Sequence, residues 1–353
     1  FPLTINNIKN KTSVKIFSDV VNVKDTLILN EEVIIKPGTT FILDHKASII
    51  FNNKIIAEGT KENPITFMTN KLKKPWGTIA LQGNKANDSK LKYVNFSGGS
   101  GSVVNGIHYT SMLSLHNVKN VKLSNLILND NFIYDDAMHL VYCEDIKLEN
   151  ILINSAYRDA IDIDVSKNII ITNSTLLNPN NDAIDVMETN LIVNSSYIFK
   201  SGDKGISVGE NSNVIVYNSH LKENKIGIAV KDRSKALIVH TDFENNDTQL
   251  SSYQKNLQYG NGGKSTIYKS NFLGKKNNLY SDKKSKIIID DSSFSSKIKN
   301  IDEHILLKKD NNFNGIKKVF NNSDKILFSS LFVEIDKVKN NELRGSDFLN
   351  NIN

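Results

Sequence analysis

Between residues 138 and 232 the chain states one short pattern five times, and that repetition limits its fold more than any other feature. Met138-His139-Leu140-Val141-Tyr142, Ile161-Asp162-Ile163-Asp164-Val165, Ile184-Asp185-Val186-Met187-Glu188, Ile206-Ser207-Val208-Gly209-Glu210 and Ile228-Ala229-Val230-Lys231-Asp232 begin 23, 23, 22 and 22 residues apart. Each alternates apolar and polar side chains, the period of a strand with one buried face. A second apolar strand follows every time, at Ile146–Leu148, Ile169–Ile171, Leu191–Val193, Val214–Val216 and Leu237–Val239. One such unit cannot bury its apolar face alone. Stacked copies can, so the chain is expected to grow as one solenoid of parallel strands rather than as several domains.

A third column supports the stacking. Asn125, Asn150, Asn173, Asn194 and Asn218 close the second strand in turn, before His240, Lys269 and Asp291 take the position. An amide there can bond its own turn and the amide one coil away, about 4.8 Å off. Pro37-Gly38-Thr39, Gly59-Thr60, Pro64-Ile65-Thr66-Phe67 and Pro75-Trp76-Gly77 mark corners nearer the start, with Trp76 expected to pack at one of them. Gly260-Asn261-Gly262-Gly263 reads as a loop, and about residues 97–111 form another. The prediction is an all-β, single-stranded solenoid of about 22–25 residues per coil, with a cap over 1–25, coils over 26–295 and a closing cap over 296–353.

Composition narrows the function classes. The net charge of +6 is spread along the chain, and no base-stacking motif accompanies it, so nucleic acid is not the expected partner. Cys143 is the sole cysteine, which rules out an intrachain disulfide and a Cys-based zinc site. No apolar run reaches the roughly 18 residues of a membrane span. The chain opens at Phe1 without a basic-then-apolar leader, as expected of a mature or trimmed product.

Strand alternation sends Ile161, Ile184, Ile206 and Ile228 inward and builds an outward column of His139, Asp162, Asp185, Ser207 and Ala229. Two residues on, Val141, Asp164, Met187, Gly209 and Lys231 form another. Asp136, Asp159, Asp182 and Lys204 stack at the corner entering the strand, preceded by Asp135, Arg158, Asn181 and Asp203. Like charges about 5 Å apart repel by roughly 3 kcal/mol at an effective dielectric near 20. Such a patch needs compensation from a cation, from neighbouring Lys and Arg, or from a shared proton. The corner aspartates have two readings, turn caps or catalytic groups. Asp162, Asp164 and Asp185 stand where a strand disfavours aspartate, which points to function. Their oxygens suit a hard cation such as Ca²⁺. Arg158 and Arg233 are two of only three arginines, and a guanidinium fork grips carboxylates, either a patch aspartate or a uronate.

The repeat resembles the right-handed parallel β-helix superfamily, which includes pectate and alginate lyases, polygalacturonase-type hydrolases and mannuronan epimerases. The series from Asp159-Ala160-Ile161-Asp162 through Asn181-Asp182, Gly202-Asp203-Lys204-Gly205 and Ile228-Ala229-Val230-Lys231 looks loosely like polygalacturonase motifs. That resemblance implies Asp159 and Asp182 as catalytic carboxylates and Lys231 as a substrate cation. Asn181, Lys204 and Ala229 depart from the pattern, which expects Asp, His and Arg there. The segment 136–255 is also similar to repeats of bacterial surface β-helix proteins that accompany spore-coat-H-like kinase domains.

Two functions follow. One is a secreted or cell-surface protein acting on an acidic polysaccharide as a lyase or glycoside hydrolase. Its catalytic candidates are Asp159, Asp162, Asp182, Asp185 and His139, its substrate-binding candidates Arg158, Lys204, Lys231 and Arg233, and Asp162, Asp164 and Asp185 would hold Ca²⁺. The other is a non-catalytic surface, adhesin or spacer module whose patch holds a cation or glycan. Loops rising beside the patch favour the first, a smooth solenoid the second.

Overall fold

The structure, a computed structural model, describes residues 13–313 except 70–73, 276, 300, 302, 309 and 310. The calls on 1–12 and 314–353 lie outside the described residues. Among those described, strands pair in parallel throughout, apart from one antiparallel hairpin. They form a 12-stranded sheet, one strand per coil, and a 23-stranded sheet that bends round a corner and so takes up to two strands per coil. Pairing begins at Val14–Phe17, inside the segment 1–25, and continues to Asn312–Phe313, past residue 295. No helix among the described residues is long and apolar enough to cross a membrane.

The repeat register holds residue for residue. Met138, Ile161, Ile184, Ile206 and Ile228 pair in succession along the 12-stranded sheet. All five are fully buried. Each contributes on the order of 1.5–3 kcal/mol by leaving water. Aromatic stacks extend the core at both ends, with Phe41, Phe67 and Phe96 at 4.6 and 5.1 Å and Phe243, Phe272 and Phe294 at 5.0 and 4.4 Å. Trp76 is buried, and its indole N–H donates to the Ser97 carbonyl at 2.9 Å.

The asparagine column needs one correction. Asn125, Asn150, Asn173 and Asn218 do share a corner, each with φ near +50°, but the residue there in the fourth coil is Ser195, at φ +49°. Asn194 lies one residue earlier, paired with Thr172 in the strand. The corner demands the left-handed backbone that asparagine tolerates best. The side chains still form a ladder, Asn150 Nδ2 donating to Asn125 Oδ1 at 3.4 Å and Asn218 Nδ2 to Ser195 Oγ at 3.1 Å.

A hydroxyl ladder secures the exit from the 12-stranded sheet. The backbone N–H groups of Cys143, Ser166, Thr189 and Ser212 donate to the hydroxyls of Ser166, Thr189, Ser212 and Ser234, one coil on, at 3.0–3.1 Å. Just before it Tyr142, Val165, Glu188, Glu210 and Asp232 are all left-handed. Valine pays heavily for that conformation, so stacking rather than local preference imposes the turn.

Candidate functional site

The outer face of the 12-stranded sheet positions the candidate residues. Pairing puts His139, Asp162, Asp185 and Ser207 in one column, as alternation predicts. Asp164 stands two residues along from Asp162 and pairs with Val141 and Met187. His139 Nε2 lies 3.4 Å from Asp164 Oδ2 and 3.8 Å from Asp162 Oδ2. One donor atom from each of His139, Asp162 and Asp164 falls within 4.8 Å of the others, which is the spacing of a metal-binding group. The cation set read from sequence paired the two aspartates with Asp185; the grouping seen here has His139 instead. Thr110, which sequence reasoning missed, holds the far side of that imidazole, its Oγ1 2.9 Å from Nδ1. Aligning the repeat one coil further back would have found it, because Ser111 pairs with Asp136 and Ser114 with His139.

The corner column is both structural and electrostatically unusual. Asp159 Oδ1 accepts the Asp182 backbone N–H at 2.6 Å and the Asn181 side-chain amide at 2.8 Å. Asp182 Oδ1 accepts the Lys204 backbone N–H at 2.8 Å. These are the turn caps the sequence offered as one reading. Asp136 accepts from Thr110 Oγ1 at 3.3 Å. Burial, reinforced by Asp159 and Asp135, pushes the Asp136 carboxyl up to about 9. Burial likewise lifts Asp159 to about 7, and Asp182 to about 6 against the opposing pull of Lys204. Asp162 is raised well above the ordinary range by burial and by the charges of Asp136, Asp164, Asp185 and Asp159. Burial and the neighbouring His139 lower His116 to about 4.

Of the four basic candidates, Lys204 and Lys231 are tied down, while Arg158 and Arg233 reach solvent. Lys204 Nζ lies 3.3 Å from Asp182 Oδ1 and also contacts Asp203. Arg158 Nε meets Asp135 at 3.3 Å, not Asp159. Lys231 is buried and donates to Ser207 Oγ at 2.7 Å. Arg233 is exposed beside Gly260, away from the aspartate column. Asp232 is fully buried and accepts the backbone N–H groups of Lys255 and Asn256 at 2.7 and 2.9 Å.

Two excursions frame the face. Ser102–Val104 and Ile107–Tyr109 make a hairpin whose Asn105-Gly106 turn has φ +51° and +78°, as a tight two-residue turn requires. Val104 and Tyr109 pack on Ile50 and Ala80, covering the outer face of the earlier coils. At the other end the segment after Tyr253 folds back on Asp232, and the Asn256 side chain reaches Glu210 at 3.0 Å. Between them lies the aspartate stretch.

Comparison with known proteins agrees with this architecture. Residues 111–261 match the family described as the right-handed beta helix region. The A-module of Azotobacter vinelandii mannuronan C-5 epimerase AlgE6 superimposes with a TM-score of 0.58 at 11% identity, over 87% of this chain and 92% of that one. The alginate lyase of Paenibacillus sp. str. FPU-7 gives 0.50 at 14% identity, over 77% and 93%. The catalytic domain of a GH87 α-1,3-glucanase in complex with nigerose gives 0.55 at 10% identity, over 85% and 64%. No curated protein matches the sequence significantly. The class is therefore a parallel solenoid with an acidic outer face. The chain's fold is that of a right-handed parallel β-helix.

Proposed function

We propose that this protein cleaves a polysaccharide laid against the outer face of the 12-stranded sheet, by glycoside hydrolysis. The observation that carries it is the stack of carboxyls on successive coils, Asp162 above Asp185 with Asp164 beside them, on a face where strands disfavour aspartate. Asp162, held protonated by burial and its neighbours, serves as the acid that protonates the leaving oxygen. Asp185, one strand spacing away at about 4.8 Å, supplies the partner carboxylate, near the separation of about 5–5.5 Å typical of retaining enzymes. Hydrolysis is preferred to elimination on physical grounds. A lyase needs a cation to draw charge from the uronate carboxylate, and on this face Lys204 is held by Asp182 and Asp203 and Lys231 by Ser207. The three solved structures above, all with polysaccharide-acting names, support the substrate class. A secreted or surface location belongs to the same proposal.

The test is incubation with a glycan panel, reading new reducing ends and unsaturated ends separately. Reducing ends alone, lost in Asp162→Asn, are expected. Unsaturated ends would replace hydrolysis with elimination. Binding without cleavage would leave the non-catalytic module, and turnover unchanged in Asp162→Asn would remove this site from the chemistry.

A further inference from the structure

On the 23-stranded sheet one outward column runs coil by coil from Ile34 through Lys122 and Lys147 to Ile192, Ile215 and Leu237. Ile34 is 40% exposed, as a side chain standing off a bare sheet should be. Ile192, Ile215 and Leu237 point the same way, opposite the inward Val193 and Val216, yet they are only 5%, 3% and 3% exposed. Val239, two residues along from Leu237, is 1% exposed. Among the described residues, the partly buried apolar side chains packed with this group are those of its own face, Ile170, Tyr217 and Tyr268. One column is thus bare at one end and shielded at the other. An apolar sheet face is shielded by an element laid over it.

We infer that residues 323–339 of the same chain are that element, laid lengthwise along the flank of the solenoid with their apolar side chains on Ile192, Ile215 and Leu237. The last described strand ends at Phe313, in the coil that brings Leu306 to this column, and residues 314–353 follow it. From Leu306 back to Ile192 is five coil steps, about 24 Å, and the 17 residues 323–339 would measure about 25 Å as a helix. Their sequence has the matching period. Leu327, Leu331, Ile335 and Val338 recur every three or four residues with Phe328 and Phe332 beside them, which puts all six on one side of a 3.6-residue repeat. Residues 1–12 fit less well, because they precede Val14 at the far end of the column, where Ile16 and Ile34 stay 57% and 40% exposed. The carboxyl row lies on the other sheet, so this cover leaves the proposed glycan face open and stands or falls apart from it.

The experiment is photocrosslinking in the full chain, with the photoreactive residue benzoyl-phenylalanine replacing Phe328 or Phe332 in turn. Irradiated monomer is expected to give adducts on peptides spanning 190–239 of the same chain, read by mass spectrometry. Adducts joining two chains would make a second copy the cover and overturn the inference. Adducts confined to other surfaces, or none at all, overturn it as well, as would adducts on this stripe from the same probe placed at Leu3. A double variant, Leu331→Asp with Phe332→Asp, gives an independent reading. Uncovering the stripe should raise binding of the apolar dye anilinonaphthalene sulfonate several-fold and lower the melting temperature by several degrees, with the β signature of far-UV dichroism retained. Unchanged dye binding and melting in that variant would show that the segment covers nothing there.

Discussion

Along one outward column, His139, Asp162 and Asp185 give way within a single coil to Ser207, Ala229 and Ser251. The two halves share backbone, register and inward neighbours, so they differ only in what they present. The second half is closed: Ser207, Ala229 and Ser251 are at most 2% exposed, and Lys231 lies down against Ser207. The first half keeps its carboxyls side by side, and the cost appears as carboxyls held protonated well above their usual range. A solenoid selected for stability alone would repeat the closed solution. That it does not is the physical reason for placing function on the coils from 136 to 187.

The frame common to both halves is the place to apply the largest perturbation. Ile184→Asp would bury an unpaired charge in the inward stack between the two halves and should cost several kcal/mol. Chemical denaturation measures it; wild-type stability would show that the inward and outward columns are misassigned.

Asp162→Asn separates the halves next. Turnover on a cleaved glycan should fall by on the order of 10²–10⁴-fold with loss of the acid. The same variant should melt at a higher temperature than wild type at mildly alkaline pH, because an amide needs no proton to be neutral. A variant both active and no more stable would deny the contrast.

The pH dependence of stability carries the same sign. The folded values of Asp159 and Asp136, about 7 and about 9, lie above the ordinary carboxyl value that the unfolded chain would have. Between those limits the native state binds more protons than the unfolded state, so stability falls as pH rises. The contribution is complete below about pH 4 and is lost through pH 7–9, on the order of 1–3 kcal/mol after allowance for coupling. Melting scans from pH 5 to 9 should show a steady decline, flattened in Asp136→Asn; a rise across that range would contradict it.

Much of this contrast was legible in the sequence, for a physical reason. Strand alternation has a period of two, so fixing one inward residue fixes every outward one, and the columns through Asp162 and Asp185 followed. Side-chain reach does not follow from period. Lys204 bends to Asp182 and Asp203, Arg158 Nε to Asp135 and Lys231 to Ser207, contacts that strand alternation alone does not give. The hydroxyl ladder from Ser166 to Ser234 escaped notice because serine is an ordinary turn residue in any one coil. Ser195 shows the same limit, since a count of asparagines sees identity where the corner selects backbone conformation.

The smallest effect sharpens the closed half. Lys231→Met keeps the aliphatic stem and removes one hydrogen bond to Ser207, so it should cost about 1 kcal/mol and leave glycan affinity unchanged. A large loss of affinity would make Lys231 a substrate-binding residue instead.

Whether the open carboxylate coils are the glycan site can be measured by footprinting. Carbodiimide labelling of the full chain, with and without a bound oligosaccharide, reports each carboxyl through peptide mass spectrometry. Asp162, Asp164 and Asp185 are expected to lose reactivity when the glycan is present, while exposed Asp25 and Glu58 on other surfaces label equally in both states. Unchanged labelling of all three aspartates under a saturating, bound glycan would place the sugar elsewhere and contradict the account.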